Sequence, residues 1–164
     1  MSIEVPFRDG SVLVLPEQLL NKLRAVLAIS GYDFESGGIL LGSKEAQSPR
    51  FVVKEITFPS FLDTRKRFAF IRSKNGANQA IERAWRASGG TVNYLGEWHT
   101  HNEKSPCPSS ADQNLIGDLV VDGSIPFGRI FMLIAGNSNE IFVGMTTAAN
   151  PNGFVEERRA KWPV

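Results

Sequence analysis

The chain has 164 residues, of which 42% are hydrophobic and 21% are charged. This size and composition fit one globular domain and exclude a disordered or fibrous protein. The formal net charge of +1 excludes a protein whose main work is to coat polyanions, and the single cysteine, Cys107, excludes an intramolecular disulfide. Without a recognisable signal sequence or membrane-spanning run, we expect a cytoplasmic protein.

We predict that the first third of the chain forms a short strand, a helix and two further strands, in that order. The short strand covers 11–15, and Pro16 then opens the helix, where its missing N–H costs nothing. Leucines at helical spacing give this helix one buried stripe, and Gly31 ends it. The next two strands cover 37–43, which is bounded by glycines, and 51–58, which alternates in polarity.

The rest of the chain continues to interleave strands and helices. In chain order we predict a strand at 67–72, a helix at 75–88, a strand at 92–101, a helix from Ser109 or Ser110 to about Val121, and a hairpin with strands at 130–135 and 140–146. This order predicts a single α/β or α+β domain over 1–164, with a mixed central sheet flanked by helices. The segment 150–164 is rich in charges and turn residues, and we expect it to be mobile.

Both histidines of the chain, His99 and His101, lie in the predicted strand at 92–101 and are separated by one residue. On a strand, residues two apart project from the same face about 6–7 Å apart, and two imidazoles can then lean towards one metal ion. The pair therefore predicts a metal site. Two hydrogen-bonded histidines at a strand end are the alternative.

Asp112 follows in the first turn of the predicted helix, where it could fold back over the end of the strand. A carboxylate there would be a third ligand and leave the fourth position open, as in catalytic zinc sites. The alternative is structural, because Ser109 and Asp112 are spaced as in a capping box. Hydrolysis also needs a general base, and Glu97 and Glu35 are the candidates between which spacing does not decide.

Taken together, these residues resemble the JAMM (JAB1/MPN/Mov34) metalloprotease signature. The signature consists of a glutamate before a glycine-rich strand, then HxH, seven residues, Ser, two residues and Asp. Here these parts are Glu35 with the strand GGILLG, the run His99-Thr100-His101, and Ser109 with Asp112. The likeness covers about residues 11–147. Each part is weak alone, but the combination is specific.

The resemblance implies a role for each matching residue. His99, His101 and Asp112 would hold Zn²⁺, Glu35 would be the general acid/base, and Ser109 would help to stabilise the oxyanion. Glu97 would then be structural. The fold implied is a JAB/MPN domain, which is cytidine-deaminase-like. Asn102 departs from the proline that commonly follows the second histidine, which puts the path of the loop 102–108 in doubt.

The activity implied is hydrolysis of an isopeptide or peptide bond at the C-terminal tail of a conjugated protein. In its short length and its GEWHTH form the chain resembles the bacterial JAB proteins of CBASS antiphage operons. Those proteins release a cGAS-like nucleotidyltransferase that a ubiquitin-ligase-like partner has joined to targets. The alternatives are processing of a ubiquitin-like or sulfur-carrier precursor, a metal-free MPN scaffold, and a cysteine hydrolase that uses Cys107.

Other residues are predicted to be structural. We expect Cys107 to be a small buried residue beside the site, and Trp85 and Trp98 to lie in the core, with Trp98 facing away from the histidines. The basic and aromatic residues of 61–74 fit a half-solvated strand that could flank the substrate groove. We therefore expect neither a nucleic-acid nor a membrane partner.

Overall fold

The structure, a computed structural model, describes residues 1–30, 33–59, 64–66, 69–71, 74–123 and 125–162. Its helices are α1 (Glu17–Ser30), α2 (Lys74–Ala87) and α3 (Ser110–Val121). Its strands are β1 (Ile3–Pro6), β2 (Val12–Leu15), β3 (Gly37–Lys44), β4 (Arg50–Ile56), β5 (Thr64–Lys66), β6 (Ala69–Ile71), β7 (Asn93–Thr100), β8 (Arg129–Ala135), β9 (Glu140–Thr147) and β10 (Glu156–Lys161).

Eight of these strands form one mixed sheet in the order β1-β2-β4-β3-β7-β8-β9-β10. Two neighbouring pairs, β2 with β4 and β7 with β8, run parallel, and the other pairs run antiparallel. The short strands β5 and β6 pair only with each other within the described residues. The predicted α/β domain with a mixed central sheet is therefore confirmed.

Helices cover both faces of the sheet because its central strands are apolar on both sides. Leucines of α1 pack with Leu40 and Trp98 on one face, whereas α2 and α3 pack with Ile39 and Leu41 on the other. Successive residues of a strand point to opposite faces, so Leu40 packs into the core under α1, whereas Ile39 and Leu41 pack into the core under α2 and α3. This double burial makes β3 and its neighbour β7 a rigid support for side chains at their ends.

The C-terminal segment differs from the sequence prediction. Residues 156–161, which we expected to be mobile, form β10 and pair with β9, and Trp162 is buried with 3% of its surface exposed. This segment lacks the apolar alternation that predicts a strand, because β10 is an edge strand with charged side chains. A first strand, Ile3–Pro6, was also missed. The two sheet edges meet where the backbone N–H of Arg8 donates to the Glu156 carboxylate.

Of two further predictions, the strand at 67–72 is confirmed in part and the burial of Trp85 is wrong. The strand predicted at 67–72 is present as Ala69–Ile71, paired with Thr64–Lys66, while residues 67, 68 and 72 lie outside the described part of the chain. Trp85, predicted to be a core residue, is 47% exposed on α2, where its ring lies against Gly90. Among the described residues, no helix has the length and apolar character needed to cross a membrane.

Candidate metal centre

His99 lies near the end of β7, His101 directly follows the strand, and both side chains are buried. Backbone hydrogen bonds to both neighbouring strands fix this end of the strand. The N–H of Thr100 donates to the Ser36 carbonyl, and the N–H of His101 donates to the Ala135 carbonyl. The two Nε2 atoms face each other 3.1 Å apart. Two imidazole nitrogens aimed at one point in this way are the arrangement that a shared metal ion requires.

A bulge in β7 sets which face the histidines use. The register with β3 shifts at Leu95, and the following Gly96 lies so close to β8 that a Cβ there would come 1.8 Å from the Phe131 carbonyl oxygen. After the bulge, Trp98 points into the core under α1, away from the histidines, as predicted. Glycine is therefore required at this position to bring the histidines to the correct face.

Helix α3 brings Asp112 to the histidines. Ser109 caps the helix and forms a complete capping box with Asp112, whose Oδ2 accepts hydrogen bonds from the Ser109 N–H at 2.6 Å and from its hydroxyl at 2.8 Å. The other oxygen, Oδ1, lies 3.2 Å from Nε2 of His99. The structural and the metal-ligand interpretations of Asp112 thus coexist, because Oδ1, which faces His99, takes no part in the capping box.

The charge state of Asp112 suits a ligand. Burial alone would raise the pKa of this carboxyl, but hydrogen bonds and charge from His99 and Ser109 outweigh that effect and lower the pKa to about 2. Burial also lowers the pKa of His101, with a further contribution from His99. A carboxylate and a neutral imidazole are the protonation states in which Asp112 and His101 would bind a metal ion.

The two imidazole nitrogens and the oxygens of the Asp112 carboxylate lie at distances that suit a zinc site. The distances are 3.1 Å between the two Nε2 atoms, 3.2 Å from His99 to Asp112 Oδ1, and 3.5 Å from His101 to Asp112 Oδ2. Tetrahedral zinc with bonds of about 2.0–2.1 Å places neighbouring ligand atoms roughly 3.3 Å apart. Among the described residues, these three also form the group of His, Cys, Asp and Glu side chains whose spacing could hold a metal ion. The donor set of two imidazoles and one carboxylate fits Zn²⁺.

Glu35 lies just outside this triangle. It precedes β3, whose Gly37 pairs with His99, and the N–H of Ser36 donates to the Thr100 hydroxyl. The Glu35 Oε1 comes within 3.7 Å of His101 Nε2, and its side chain is only 14% exposed. Burial raises the pKa of Glu35 to about 7; His99 opposes this, and the carboxylates of Asp112 and Glu103 add to it. A carboxyl group of this kind can take up and release a proton near neutral pH.

The other candidates lie apart from the cluster. Glu97 is buried and accepts a hydrogen bond of 2.6 Å from the Tyr94 hydroxyl. Cys107 is exposed, so the prediction that it is buried is wrong, because the loop 102–108 runs over the surface.

Sequence reasoning missed Glu103, whose Oε2 lies 3.9 Å from His101 Nδ1. Its position two residues after the second histidine was the available signal.

Comparison with known proteins agrees with this geometry. A protein-family model described as prokaryotic homologs of the JAB domain matches residues 16–147. The chain belongs to this prokaryotic JAB family. The resemblance predicted from the sequence motif is thereby confirmed, and the matched range contains Glu35, both histidines and Asp112.

Three curated relatives of this JAB protein are named CD-NTase/cGAS isopeptidase. The relative from Pseudomonas aeruginosa is 36% identical over 65% of this chain and 66% of its own length. The relative from Vibrio cholerae is 32% identical over 68% and 72%, and the one from Escherichia coli is 32% identical over 83% and 82%. A relative from Sinorhizobium fredii, 31% identical over 66% of this chain and 67% of its own length, is named a probable metalloprotease.

Among solved structures, the JAB protein is similar to a protein from Desulfitobacterium hafniense studied in solution. The TM-score is 0.54 at 18% sequence identity, and the match covers 82% of this chain and 87% of the other. At that identity the likeness concerns the fold alone.

Proposed function

We propose that this JAB protein is a zinc-dependent isopeptidase or peptidase that cleaves a conjugated protein from its target at the C-terminal carboxyl group of the conjugate. One observation carries the proposal. Two imidazole nitrogens lie 3.1 Å apart, each lies within 3.5 Å of one oxygen of the Asp112 carboxylate, and the Glu35 carboxylate stands 3.7 Å from one of them. The names of the relatives, isopeptidase and metalloprotease, support the same class of reaction.

His99, His101 and Asp112 would hold the zinc ion. The chemistry that bound zinc supplies at such a site is Lewis acidity, which lowers the pKa of water and polarises a carbonyl group. The remaining chemistry belongs to side chains of this chain, and the movement of protons belongs to Glu35.

Glu35 would act first as a base and then as an acid. Its carboxylate takes a proton from the attacking water, whose oxygen forms a bond to the scissile carbonyl carbon. As the carbon–nitrogen bond breaks, Glu35 returns this proton to the departing lysine amine, so the group ends the cycle unchanged. A pKa of about 7, raised by burial, suits a residue that must perform both transfers near neutral pH.

Ser109 remains our candidate for stabilising the oxyanion. Its hydroxyl is occupied in the capping box, where it accepts from the Asp112 N–H at 3.2 Å and donates to Asp112 Oδ2 at 2.8 Å. To donate to an oxyanion, the hydroxyl must turn its hydrogen away from Asp112. We therefore propose two roles for Ser109, of which positioning Asp112 is the one that is needed before substrate arrives.

For the substrate we propose a cGAS-like nucleotidyltransferase that is joined through its C-terminus to a target by a ubiquitin-ligase-like partner, in CBASS defence in the cytoplasm. Three relatives that are named CD-NTase/cGAS isopeptidase support this choice. An extended C-terminal tail is also the shape that an active site at the end of a sheet can accommodate.

A gel assay of cleavage tests the proposal. The purified chain is incubated with a CD-NTase conjugate and, separately, with a ubiquitin-like precursor, each with and without a zinc chelator. We expect release of the CD-NTase that the chelator stops, no release by Glu35→Gln, and full release by the matched control Glu82→Gln on the exposed face of α2. Cleavage of the precursor alone would overturn the proposed substrate, and cleavage that survives chelation would overturn the zinc mechanism.

A further inference from the structure

Arg159 of the C-terminal strand lies on the same rung of the sheet as the metal-binding histidine His99. Arg159 pairs with Phe142 of β9, Phe142 pairs with Ile134 of β8, and Ile134 pairs with His99 of β7. Residues that pair across a sheet project from the same face, and three strand spacings amount to about 14 Å. A long side chain at this position therefore points towards the metal-site side of the sheet.

The guanidinium of Arg159 lies on that side of the sheet. It lies over the ring of Phe142, 5.8 Å from the ring centroid. From there one nitrogen donates to the Pro106 carbonyl at 2.5 Å, and another lies 3.1 Å from the Cys107 sulfur. Both contacts fall in the loop 102–108, which joins His101 to Ser109 and thus links the two parts of the chain that carry the proposed ligands.

The first half of the same loop is held by different residues. The N–H of Asn137 donates to the Glu103 carbonyl at 2.8 Å, and the hydroxyl of Ser138 donates to the Lys104 carbonyl at 2.7 Å. The loop lies so close to Gly136 that a Cβ there would come 2.6 Å from the Glu103 carbonyl oxygen. The β8–β9 turn thus fixes residues 103 and 104 of the loop.

Arg159 holds residues 106 and 107 of the loop in place through its contacts with the Pro106 carbonyl and the Cys107 sulfur. The N–H of Cys107 donates to the Glu103 carboxylate at 3.2 Å, and that carboxylate lies 3.9 Å from His101 Nδ1. If the second half of the loop moves, Glu103 loses this hydrogen bond and Ser109, the cap that holds Asp112, loses its anchorage. Arg159 lies beyond residues 16–147, the range that the family model matches.

We infer that Arg159 is a positioning residue for the metal site, which sets the spacing of His101 and Asp112 by clamping the loop 102–108 from the last strand of the sheet. This inference rests on the proposed function in that the site is taken to hold zinc. Arg159 does not itself reach the reacting atoms. Outer residues that orient ligands typically change metal affinity by about 10- to 100-fold when they are removed.

The test compares Arg159→Ala, Arg159→Lys and the matched control Arg158→Ala. Arg158 precedes it on β10 and donates instead to the Pro6 carbonyl, so its removal reports the cost of losing an arginine from this strand. Three quantities are measured: the rate of zinc release to a chromogenic chelator, the visible absorption spectrum of the cobalt-substituted protein, and hydrogen exchange of the 102–112 peptide in the metal-free protein.

We expect Arg159→Ala to release zinc about 10- to 100-fold faster, to shift the cobalt bands and to speed exchange of the 102–112 peptide. Arg159→Lys should recover part of each effect, because an ammonium can still reach the Pro106 carbonyl. Arg158→Ala should resemble the parent protein. If Arg159→Ala does not fold, Arg159→Gln takes its place.

Zinc release within twofold of the parent, with an unchanged cobalt spectrum and unchanged exchange, would overturn the inference. Its failure is distinguishable from failure of the proposed function. A chain that binds zinc tightly but cleaves no conjugate contradicts the function and leaves the clamp standing. A chain that binds no zinc also contradicts the function, and the exchange of the metal-free protein then decides the role of Arg159.

Discussion

Glu35 Oε1 lies 3.7 Å from Nε2 of His101, although 65 residues, Ser36 to Thr100, separate the two in sequence. The antiparallel pairing of β3 with β7 creates this proximity, because Gly37 is the partner of His99. The carboxylate is close enough to exchange a proton with a water molecule at the site. It is the one group of the site that combines this position with a pKa raised by burial to about 7.

Glu35→Gln is therefore expected to abolish most cleavage without loss of metal. The amide is nearly isosteric with the carboxylate but accepts no proton, and general-base catalysis typically contributes about 10²- to 10⁴-fold. The measurement is the rate of conjugate cleavage together with zinc content by elemental analysis. A Glu35→Gln protein that cleaves at the parental rate would show that the base is another residue, and Glu97→Gln would then be the variant to examine.

The same substitution should stabilise the metal-free protein. Burial raises the pKa of Glu35 from 4.5 to about 7, so the folded state disfavours the charged form, and stability is lost as the pH rises between these values. Glu35→Gln removes that penalty and should raise the free energy of unfolding by about 3 kcal/mol at pH 8 and by almost nothing at pH 4. Urea unfolding of both proteins in chelator at the two pH values measures it. Equal stabilities at pH 8 would contradict the assigned burial of this charge.

Ser109→Ala should destabilise α3 and loosen Asp112 together. The loss of a serine cap costs about 1 kcal/mol in helices of this kind, and here it also removes the hydroxyl that donates to Asp112 Oδ2. Ser109→Thr keeps the hydroxyl and should restore both stability and zinc affinity. Thermal unfolding and zinc titration of the two variants are the measurements. Unchanged zinc affinity in Ser109→Ala would show that the capping box does not position the carboxylate.

Acid stability should depend on Asp9, far from the metal site. Burial raises the pKa of Asp9, but hydrogen bonds from Ser11 and Arg129 outweigh it and hold the pKa at about 2, below the ordinary 3.8. A lowered pKa contributes stability above pH 4 that is lost as the pH falls towards 2.

Asp9→Asn is thus expected to cost about 1 kcal/mol at pH 6, a value reduced by solvent screening because the side chain is 38% exposed. The difference between the two proteins should vanish near pH 2. Denaturant unfolding across this pH range measures it, with Asp33→Asn as the control for loss of an exposed carboxylate. A difference that persists unchanged at pH 2 would contradict the assigned pKa.

Most of the candidate metal site could be predicted from local spacing. His99 and His101 share a strand face, and Ser109 and Asp112 share a helix turn, so short-range geometry relates the members of each pair. The choice between Glu35 and Glu97 required the family resemblance, because strand pairing over long sequence distances is not encoded in spacing. In the structure, Glu35 lies beside His101 and Glu97 is hydrogen-bonded to Tyr94.

What the sequence did not reveal lies mainly at the edges. Strand β10 consists mostly of charged residues and shows no apolar pattern. It lies at the edge of the sheet, where charged side chains are common. Trp85 and Cys107 are exposed because burial depends on which face of a helix or loop meets the core, and residue type alone does not settle this. The support that Arg159 gives to the loop 102–108 depends on that unpredicted strand.

The most direct test of the account is X-ray absorption at the zinc edge, combined with metal content, on the parent protein and on Asp112→Ala. We predict one zinc ion per chain, bound by two imidazole nitrogens and by oxygen at about 2.0–2.1 Å, and loss of this signal when Asp112 is removed. A parent protein that binds no zinc, or one whose zinc environment is the same in Asp112→Ala, would contradict the account.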